Sequence, residues 1–304
     1  MRISIIQEII DKFRKKKTKG FCKIQNTLIN DFIIKDLKKV GFTINDESNI
    51  IASSNGIKLN ILFQPFVIWE VFTKGDYLLQ GKEENSILID IGMNIGAVSL
   101  MYAAKEWVEK VYAFEPFKPT YEEALSNIKL NPELESKIIT FPFGLGKNDE
   151  EKEFLYCSDA AGAMSTTCDV YSSNPIFAKY KEKAKKEVVN IKNAACIIEE
   201  IIRKEGRKEG RKEGRKEGRK EGKRIILKCD TEGSEYDIIE CLAKSNLLKE
   251  IDIIFLEYHY KGCEILEKEL KDNGFIIFYS TIPEMKENIG FIKAVNIYKK
   301  IRKE

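Results

Sequence analysis

One strand-loop-helix unit restricts the fold of this chain more than any other part of its sequence. Ile87–Ile91 is apolar except for the acid Asp90, which predicts a buried parallel strand. Gly92 and Gly96 bracket the next loop, and Ala97–Ala104 then has the pattern of a helix that packs back on the sheet. This order is typical of an α/β sheet that offers backbone N–H groups and a positive helix end to a nucleotide-like ligand.

The alternation of apolar runs and helical stretches continues along the chain and predicts a parallel sheet covered on both faces. We expect strands at 110–114, 137–143, 224–229 and 251–257, and helices at 96–106, 119–130, 234–244 and 262–272. A further strand, at 188–192, is expected within a polar excursion that interrupts the alternation. Gly274–Ser280 and Gly290–Tyr298 have no helix between them, so they should pair as an antiparallel hairpin. The predicted fold class is therefore α/β and Rossmann-like, mostly parallel with an antiparallel C-terminal strand.

Two regions depart from this alternation. Residues 1–85 mix helical patterns with short strands, of which 49–53 and 57–62 flank a plausible hairpin turn at Ser54–Gly56. We therefore predict an N-terminal α+β extension over 1–85 and a second domain over 86–304. Residues 148–202 form a polar excursion inside that second domain.

A low-complexity tract, Arg203–Gly222, consists of five copies of Arg-Lys-Glu-Gly and carries a net charge of +5. In a helix each glycine would cost up to about 1 kcal/mol relative to alanine. A marginal helix that extends 197–202 and a disordered loop are both possible. We favour a solvated insertion over a basic arm that binds RNA or an acidic surface.

The composition argues against several classes of protein. The 304 residues are 43% apolar and the net charge is only +3, so a nucleic-acid partner is unlikely. Seven cysteines without a C-x-x-C pair favour reduced thiols over a disulfide framework. The sequence shows no signal peptide, and no apolar run approaches the roughly 18 residues of a membrane-spanning helix. These features predict a cytoplasmic protein; its oligomeric state cannot be inferred.

The loop also indicates which cofactor is bound. Glu115 lies 19 residues beyond Gly96, where an acid can accept both hydroxyls of a ribose in either an NAD or an S-adenosylmethionine site. A dinucleotide fingerprint needs a middle glycine to admit the pyrophosphate, but here Asn94 occupies the loop. This favours S-adenosylmethionine over NAD, with a purely structural turn as a third alternative.

Five motifs follow one another in the sequence: Asp90–Gly96 (DIGMNIG), Ala113–Pro116 (AFEP), Asn127–Asn131 (NIKLN), Leu227–Tyr236 (LKCDTEGSEY) and Leu256–His259 (LEYH). In kind and order they resemble the FkbM family of S-adenosylmethionine-dependent methyltransferases. The resemblance runs from about residue 66 to the C-terminus, and the D-x-E-G-x-E block is fairly specific to the family. It implies a seven-stranded class I methyltransferase sheet and methyl transfer to oxygen, often on a saccharide or a natural product. The repeat tract is foreign to the family pattern, and Cys229 stands where an aliphatic residue is usual.

The resemblance also implies cofactor-binding residues at the ends of three strands. These are Asp90, Gly92, Asn94 and Gly96 for the methionine and ribose end, Glu115 for the ribose, and Phe143-Gly144-Leu145 beside the adenine.

A reaction centre is expected where the fourth strand ends. Asp230 and Glu232 would share one face of an extended stretch, while Glu235 is either part of the centre or a helix-start acid. His259, the only histidine, is a candidate general base with Glu257 two residues before it. We therefore predict Asp230, Glu232 and His259 as catalytic residues. These acids and His259 could also hold a divalent metal, but nothing in their spacing demands one, and we predict none.

Overall fold

Thirteen strands and eight helices belong to the part of the chain that the computed structural model describes, namely residues 31–45, 49–79, 85–157, 182, 184–206, 223–259, 261–281 and 289–297. The strands are β1 (Thr43–Asn45), β2 (Ile50–Ala52), β3 (Lys58–Asn60), β4 (Ser86–Ile91), β5 (Val108–Phe114), β6 (Ile138–Phe141), β7 (Gly144–Gly146), β8 (Glu150–Tyr156), β9 (Lys185–Asn193), β10 (Arg224–Cys229), β11 (Ile253–Tyr258), β12 (Phe275–Thr281) and β13 (Gly290–Asn296). The helices are α1 (31–39), α2 (Pro65–Trp69), α3 (Ala97–Ala103), α4 (Lys118–Lys129), α5 (Pro132–Glu135), α6 (Ala194–Gly206), α7 (Glu235–Lys244) and α8 (Glu264–Asp272). Helix α2 continues into a π-helical turn at Glu70–Lys74, and a 3₁₀ turn covers Leu247–Glu250.

A seven-stranded sheet in the order β12-β13-β11-β10-β4-β5-β6 organises the described residues. The five strands from β11 to β6 are parallel, whereas β13 runs antiparallel to both β11 and β12. The mostly parallel sheet with an antiparallel C-terminal strand is therefore confirmed. The chain order reverses between β4 and β10, and open α/β sheets bind ligands beside the carboxyl ends of such strands.

Two apolar layers cover the sheet, one on each face. Every residue of β4 is buried because both faces of the strand are packed, which explains its nearly continuous apolar sequence. Helix α3 and the segment 31–79 contribute to the layer around Leu88 and Phe255. Helices α6, α7 and α8 contribute to the opposite layer around Ile89 and Leu256.

A three-stranded sheet, β1-β2-β3, precedes the central sheet, and its β2–β3 pair confirms the predicted hairpin. Two asparagines of the NIKLN motif attach it to α4. The side-chain oxygen of Asn131 accepts the Lys58 N–H at 2.8 Å, and that of Asn127 accepts the Asn60 N–H at 2.9 Å. The amide of Asn127 also donates to the carbonyl of Ile95, so this motif ties the extension to the glycine loop.

A second small sheet, β7-β9-β8, contains part of the polar excursion. The expected strand at 137–143 is corrected, because it ends at Phe141 and β7 begins a separate pairing at Gly144. The strand expected at 188–192 within the excursion is present, extends over nine residues and pairs with β7 and β8 outside the central sheet. Polar excursions of this kind lack the continuous apolar run that marks a centrally buried strand.

The repeat tract begins inside α6, which ends at Gly206 and so includes the first Arg-Lys-Glu-Gly copy. Glu205 of that copy is buried, accepts the Tyr112 hydroxyl at 2.5 Å and pairs with Lys223 at 2.8 Å. The other four copies lie outside the described residues, as do residues 1–30 and the Ala160–Thr167 stretch of the polar excursion. Among the described helices, none is both long and apolar enough to cross a membrane.

Candidate cofactor and active site

The glycine loop after β4 adopts a left-handed backbone at three positions, with φ values of +79° at Gly92, +52° at Asn94 and +81° at Gly96. The N–H groups of Gly92 and Met93 both donate to the Phe114 carbonyl, at 3.0 and 2.8 Å. The Asn94 N–H donates to Glu115 and the Gly96 N–H to the Met93 carbonyl, both at 3.0 Å. The expectation of bare loop N–H groups was therefore wrong, because four of them already have partners within the protein.

Gly92 is required by space as well as by its backbone angle. A β-carbon added at this position would lie 1.8 Å from the carbonyl oxygen of Asp230. The glycine loop after β4 and the residue that follows β10 are thus in direct backbone contact, which only glycine permits.

Asp90 and Lys228 form a buried ion pair beneath this contact. One oxygen of Asp90, Oδ2, accepts the Ser99 hydroxyl at 2.6 Å. The other, Oδ1, lies 3.4 Å from Nζ of Lys228 and has no hydrogen-bond partner among the described residues. Burial lowers the pKa of Lys228, but Asp90 and Asp230 raise it by more, so its pKa lies above the usual range and the side chain is charged.

Glu115 follows β5 and is buried under the loop. Its two carboxylate oxygens accept the N–H groups of Asn94 at 3.0 Å and Phe117 at 3.1 Å. Burial raises the pKa of Glu115 to about 7, although the two N–H groups oppose this effect. Each carboxylate oxygen has two lone pairs, so both retain capacity for a ribose hydroxyl.

A cavity beside the loop brings together six of the predicted site residues: Gly92, Asn94, Glu115, Gly144, Asp230 and Glu232. Phe117, Phe154 and Ile191 supply an apolar part of its wall. Three predicted residues do not line this cavity: Asp90, which is buried behind the loop, Gly96, which begins α3, and His259. Phe143, expected beside the adenine, instead packs against Phe114 and Phe141 in the core.

The acids after β10 come together by a turn and not by an extended stretch. Glu232 has a φ of +55° and Gly233 one of +117°, so the expected strand-like geometry over 230–232 was wrong. The turn nevertheless places Asp230 and Glu232 at the same cavity. Nε2 of His259 lies 3.6 Å from Glu232 Oε2 and 3.9 Å from Glu257 Oε1.

Glu235 is the residue that orients His259. It is fully buried, and its Oε1 lies 2.9 Å from Nδ1 of His259. Its Oε2 accepts the Gly233 N–H at 2.7 Å and the Thr231 hydroxyl at 2.9 Å, so Glu235 also stabilises the turn at the start of α7. Burial lowers the pKa of His259, but Glu232, Glu235 and Glu257 outweigh it and hold that pKa well above its usual range.

The same cluster has the composition of a cation site. Asp230, Glu232 and His259 each offer a ligand atom, and these atoms lie within 4.8 Å of one another. A divalent ion could be held there, and the expectation that no metal binds stays a prediction.

Two residues absent from the sequence-based site are central to the structure. Lys228 lies between the glycine loop and Asp230. The hydroxyl of Tyr77 lies 3.3 Å from Asp230 Oδ2 and 3.5 Å from Glu257 Oε2. Lys228 could have been noticed as the one charge within the otherwise apolar run 225–229. No sequence signal marks Tyr77, which lies 153 residues before Asp230.

The family model of the methyltransferase FkbM domain matches residues 90–277. The chain belongs to the FkbM methyltransferase family. The predicted resemblance is thereby confirmed, and the matched range contains the glycine loop, Glu115 and the 230–235 turn.

The chain shares low sequence identity with known proteins to which it is similar. Methyltransferase sdnD of Sordaria araneosa is 24% identical over 215 residues, which cover 70% of this chain and 82% of sdnD. The AMB antimetabolite synthetase AmbE of Pseudomonas aeruginosa is 26% identical over 221 residues, which cover 69% of this chain but only 10% of AmbE. The crystal structure of methyltransferase FkbM from Methylobacillus flagellatus is 13% identical, with a TM-score of 0.42, and the similarity covers 74% of this chain and 46% of that one.

Proposed function

We propose that this FkbM-family protein uses S-adenosyl-L-methionine to methylate a hydroxyl group on a saccharide or a natural-product-like acceptor. One observation carries the proposal: a single cavity joins the glycine loop and Glu115 to Asp230 and Glu232. A methyl donor bound against the loop would therefore face the acids that follow β10.

The residues on the cofactor side fit S-adenosylmethionine. Asp90 does not line the cavity and is paired with Lys228, so it would act on the cofactor through the loop that it supports. Glu115 has capacity for ribose hydroxyls, and Phe117 and Phe154 provide an apolar wall for a base. Four N–H groups of the loop are already used, so the loop offers a pyrophosphate few donors, and the NAD alternative gains no support.

The cofactor supplies an electrophilic methyl group on a sulfonium that is already a good leaving group. The protein then has to align the acceptor and take up its proton. Asp230 and Glu232, both partly exposed to the cavity, would accept hydrogen bonds from the acceptor. His259, held by Glu235 through Nδ1, would receive the proton on Nε2 when neutral.

The acceptor class rests on the chemistry of the cluster. Asp230 and Glu232 line the cavity, and their carboxyl oxygens can accept hydrogen bonds from hydroxyl donors. The relative AmbE is named as an antimetabolite synthetase, which is consistent with a small natural product as acceptor. We also propose a cytoplasmic localisation and a domain boundary between residues 85 and 86. The contact of Tyr77 with Asp230 supports a site that includes residues on both sides of that boundary.

Calorimetry with S-adenosylhomocysteine tests the cofactor assignment. We expect saturable binding by the full chain, and weaker binding by Glu115→Gln than by Glu133→Gln, an exposed acid on α5. Absence of binding would refute the proposal, and quenching or enhancement of nicotinamide fluorescence on mixing with NADH would favour the oxidoreductase alternative.

Radiolabelled methyl transfer onto fractionated glycans, lipids and small metabolites then tests the acceptor class. Label in a hydroxyl-bearing small molecule or glycan is the expected result, and Asp230→Asn should abolish it. Label only in protein or nucleic acid would contradict the acceptor class. Salt-sensitive retention on nucleic acid that disappears when 203–222 is deleted would support the binding-module alternative for the repeat tract.

A further inference from the structure

Lys228 has surroundings that are unusual for a strand residue. Its side chain is only 4% exposed, on the central strand β10. Its Nζ donates to the carbonyl oxygen of Gly92 and lies 3.4 Å from that of Ile91. The same atom lies 3.4 Å from Asp90 Oδ1 and 3.7 Å from Asp230 Oδ2.

The residues that Lys228 contacts follow or end two different strands, one on the proposed cofactor side and one on the proposed acceptor side. Ile91, Gly92 and Asp90 lie at the carboxyl end of β4, on the cofactor side. Asp230 follows β10, on the acceptor side. In the sheet Lys228 is paired directly with Asp90, so one cation bridges the point where the strand order reverses.

Stability alone does not account for a lysine at this position. Burying an ion pair costs desolvation energy, and replacing such a pair by apolar residues is often neutral or stabilising. On the face of β10 that carries Lys228, the preceding residue, Ile226, is apolar and fully buried. An apolar residue at 228 would fill the layer but could hold neither the Gly92 carbonyl nor the Asp230 carboxylate.

We propose that Lys228 is a positioning residue that fixes the glycine loop and Asp230 relative to each other, and thereby aligns the methyl donor with the acceptor. This rests on the proposed function, because it assigns the loop to the cofactor and Asp230 to the acceptor. The ring of Tyr77 lies beneath the ammonium of Lys228, and the ring centroid is 5.9 Å from Nζ.

The test measures S-adenosylhomocysteine affinity by calorimetry and the folded state by thermal unfolding. Lys228→Met keeps the length of the side chain without its charge, and we expect affinity about 10- to 100-fold weaker, the effect of losing a hydrogen bond to a charged group. Lys228→Arg should recover part of the affinity, while Lys249→Met, on the surface, should match the wild type. Wild-type affinity in a folded Lys228→Met variant would overturn the proposal.

A variant pair covers the case in which Lys228→Met fails to fold because Asp90 is left as an unpaired buried charge. Asp90→Asn removes that charge, so Asp90→Asn/Lys228→Met is compared with Asp90→Asn alone. We expect the double variant to bind S-adenosylhomocysteine at least about tenfold more weakly than Asp90→Asn alone. This difference in affinity measures the contribution of the contacts from Lys228 to Gly92 and Asp230. Equal affinities would show that Lys228 only balances Asp90. If the wild type itself binds no S-adenosylhomocysteine, the proposed function fails and not this inference.

Discussion

Substitution of Glu235 by glutamine separates its two roles, the orientation of His259 and the stabilisation of the turn before α7. The side chain is fully buried, and both of its oxygens accept hydrogen bonds, from His259 Nδ1 at 2.9 Å and from the Gly233 N–H at 2.7 Å. A glutamine amide can present an acceptor to only one of these donors. If its NH₂ faces His259, the imidazole must turn to the tautomer that carries its proton on Nε2 and cannot accept another.

The expected loss follows from one charge-assisted hydrogen bond, worth about 1.5–3 kcal/mol. Applied to the transition state, this free energy corresponds to a methyl-transfer rate lower by about 10- to 150-fold. Cofactor affinity should change little, because Glu235 does not line the cavity.

The pH dependence should change as well. Burial lowers the pKa of His259, whereas Glu232, Glu235 and Glu257 raise it above its ordinary value. The neutral, proton-accepting form is therefore populated at higher pH than for an ordinary histidine, and the rate should rise as pH increases. Removing the charge of Glu235 lowers that pKa, so the rise in rate should occur at lower pH in Glu235→Gln.

The assay is the rate of radiolabelled methyl transfer across pH, with the acceptor identified in the screen. Asp237→Asn is the matched control, because it removes an exposed acid from the same first turn of α7. If Glu235→Gln retains the wild-type rate and pH profile, Glu235 is only a helix-start acid and His259 is not the base.

Three further predictions concern the cofactor side and the segment before it. Gly92→Ala should abolish S-adenosylhomocysteine binding and lower the melting temperature, because its β-carbon would lie 1.8 Å from the backbone oxygen of Asp230. The control is Gly56→Ala, at a position with φ +86° and open space, which should lower the free energy of unfolding by only about 1–2 kcal/mol. Tyr77→Phe should slow methyl transfer about 2- to 10-fold, since it removes a hydroxyl shared by two carboxylates; an unchanged rate would exclude this role. Burial raises the pKa of Glu115 to about 7, so its carboxylate is ionised only above that pH. Affinity for S-adenosylhomocysteine should therefore rise as pH increases through 7. The contribution of Glu115 to folding stability is present below its ordinary pKa of 4.5 and is lost as pH rises from there to about 7, because the folded state keeps the proton to higher pH than the unfolded state. Glu115→Gln should remove both trends.

Local patterns predicted most of the central sheet. β4, β5 and β10 were recognisable because a strand buried on both faces needs a nearly continuous apolar run. The small β7-β9-β8 sheet was predicted only in part: a strand at 188–192 was expected, but β8 was not, because it is largely polar and its pairing depends on distant residues. The prediction of an extended backbone over residues 230–232 was also wrong, since Glu232 adopts a left-handed conformation that is uncommon for residues other than glycine.

The sequence by itself determined the succession of the central strands along the chain, the glycine loop and the acids at the carboxyl ends of β4, β5 and β10, because periodicity and glycine position are local properties. Only the tertiary structure decided which charges meet. Glu235 and not Glu257 is the nearest partner of His259, and Lys228 joins Asp90 to Asp230. The hydroxyl of Tyr77, which lies outside the range of the family match, contacts Asp230. These pairings depend on strand register and on side-chain packing across the sheet, which no local pattern encodes.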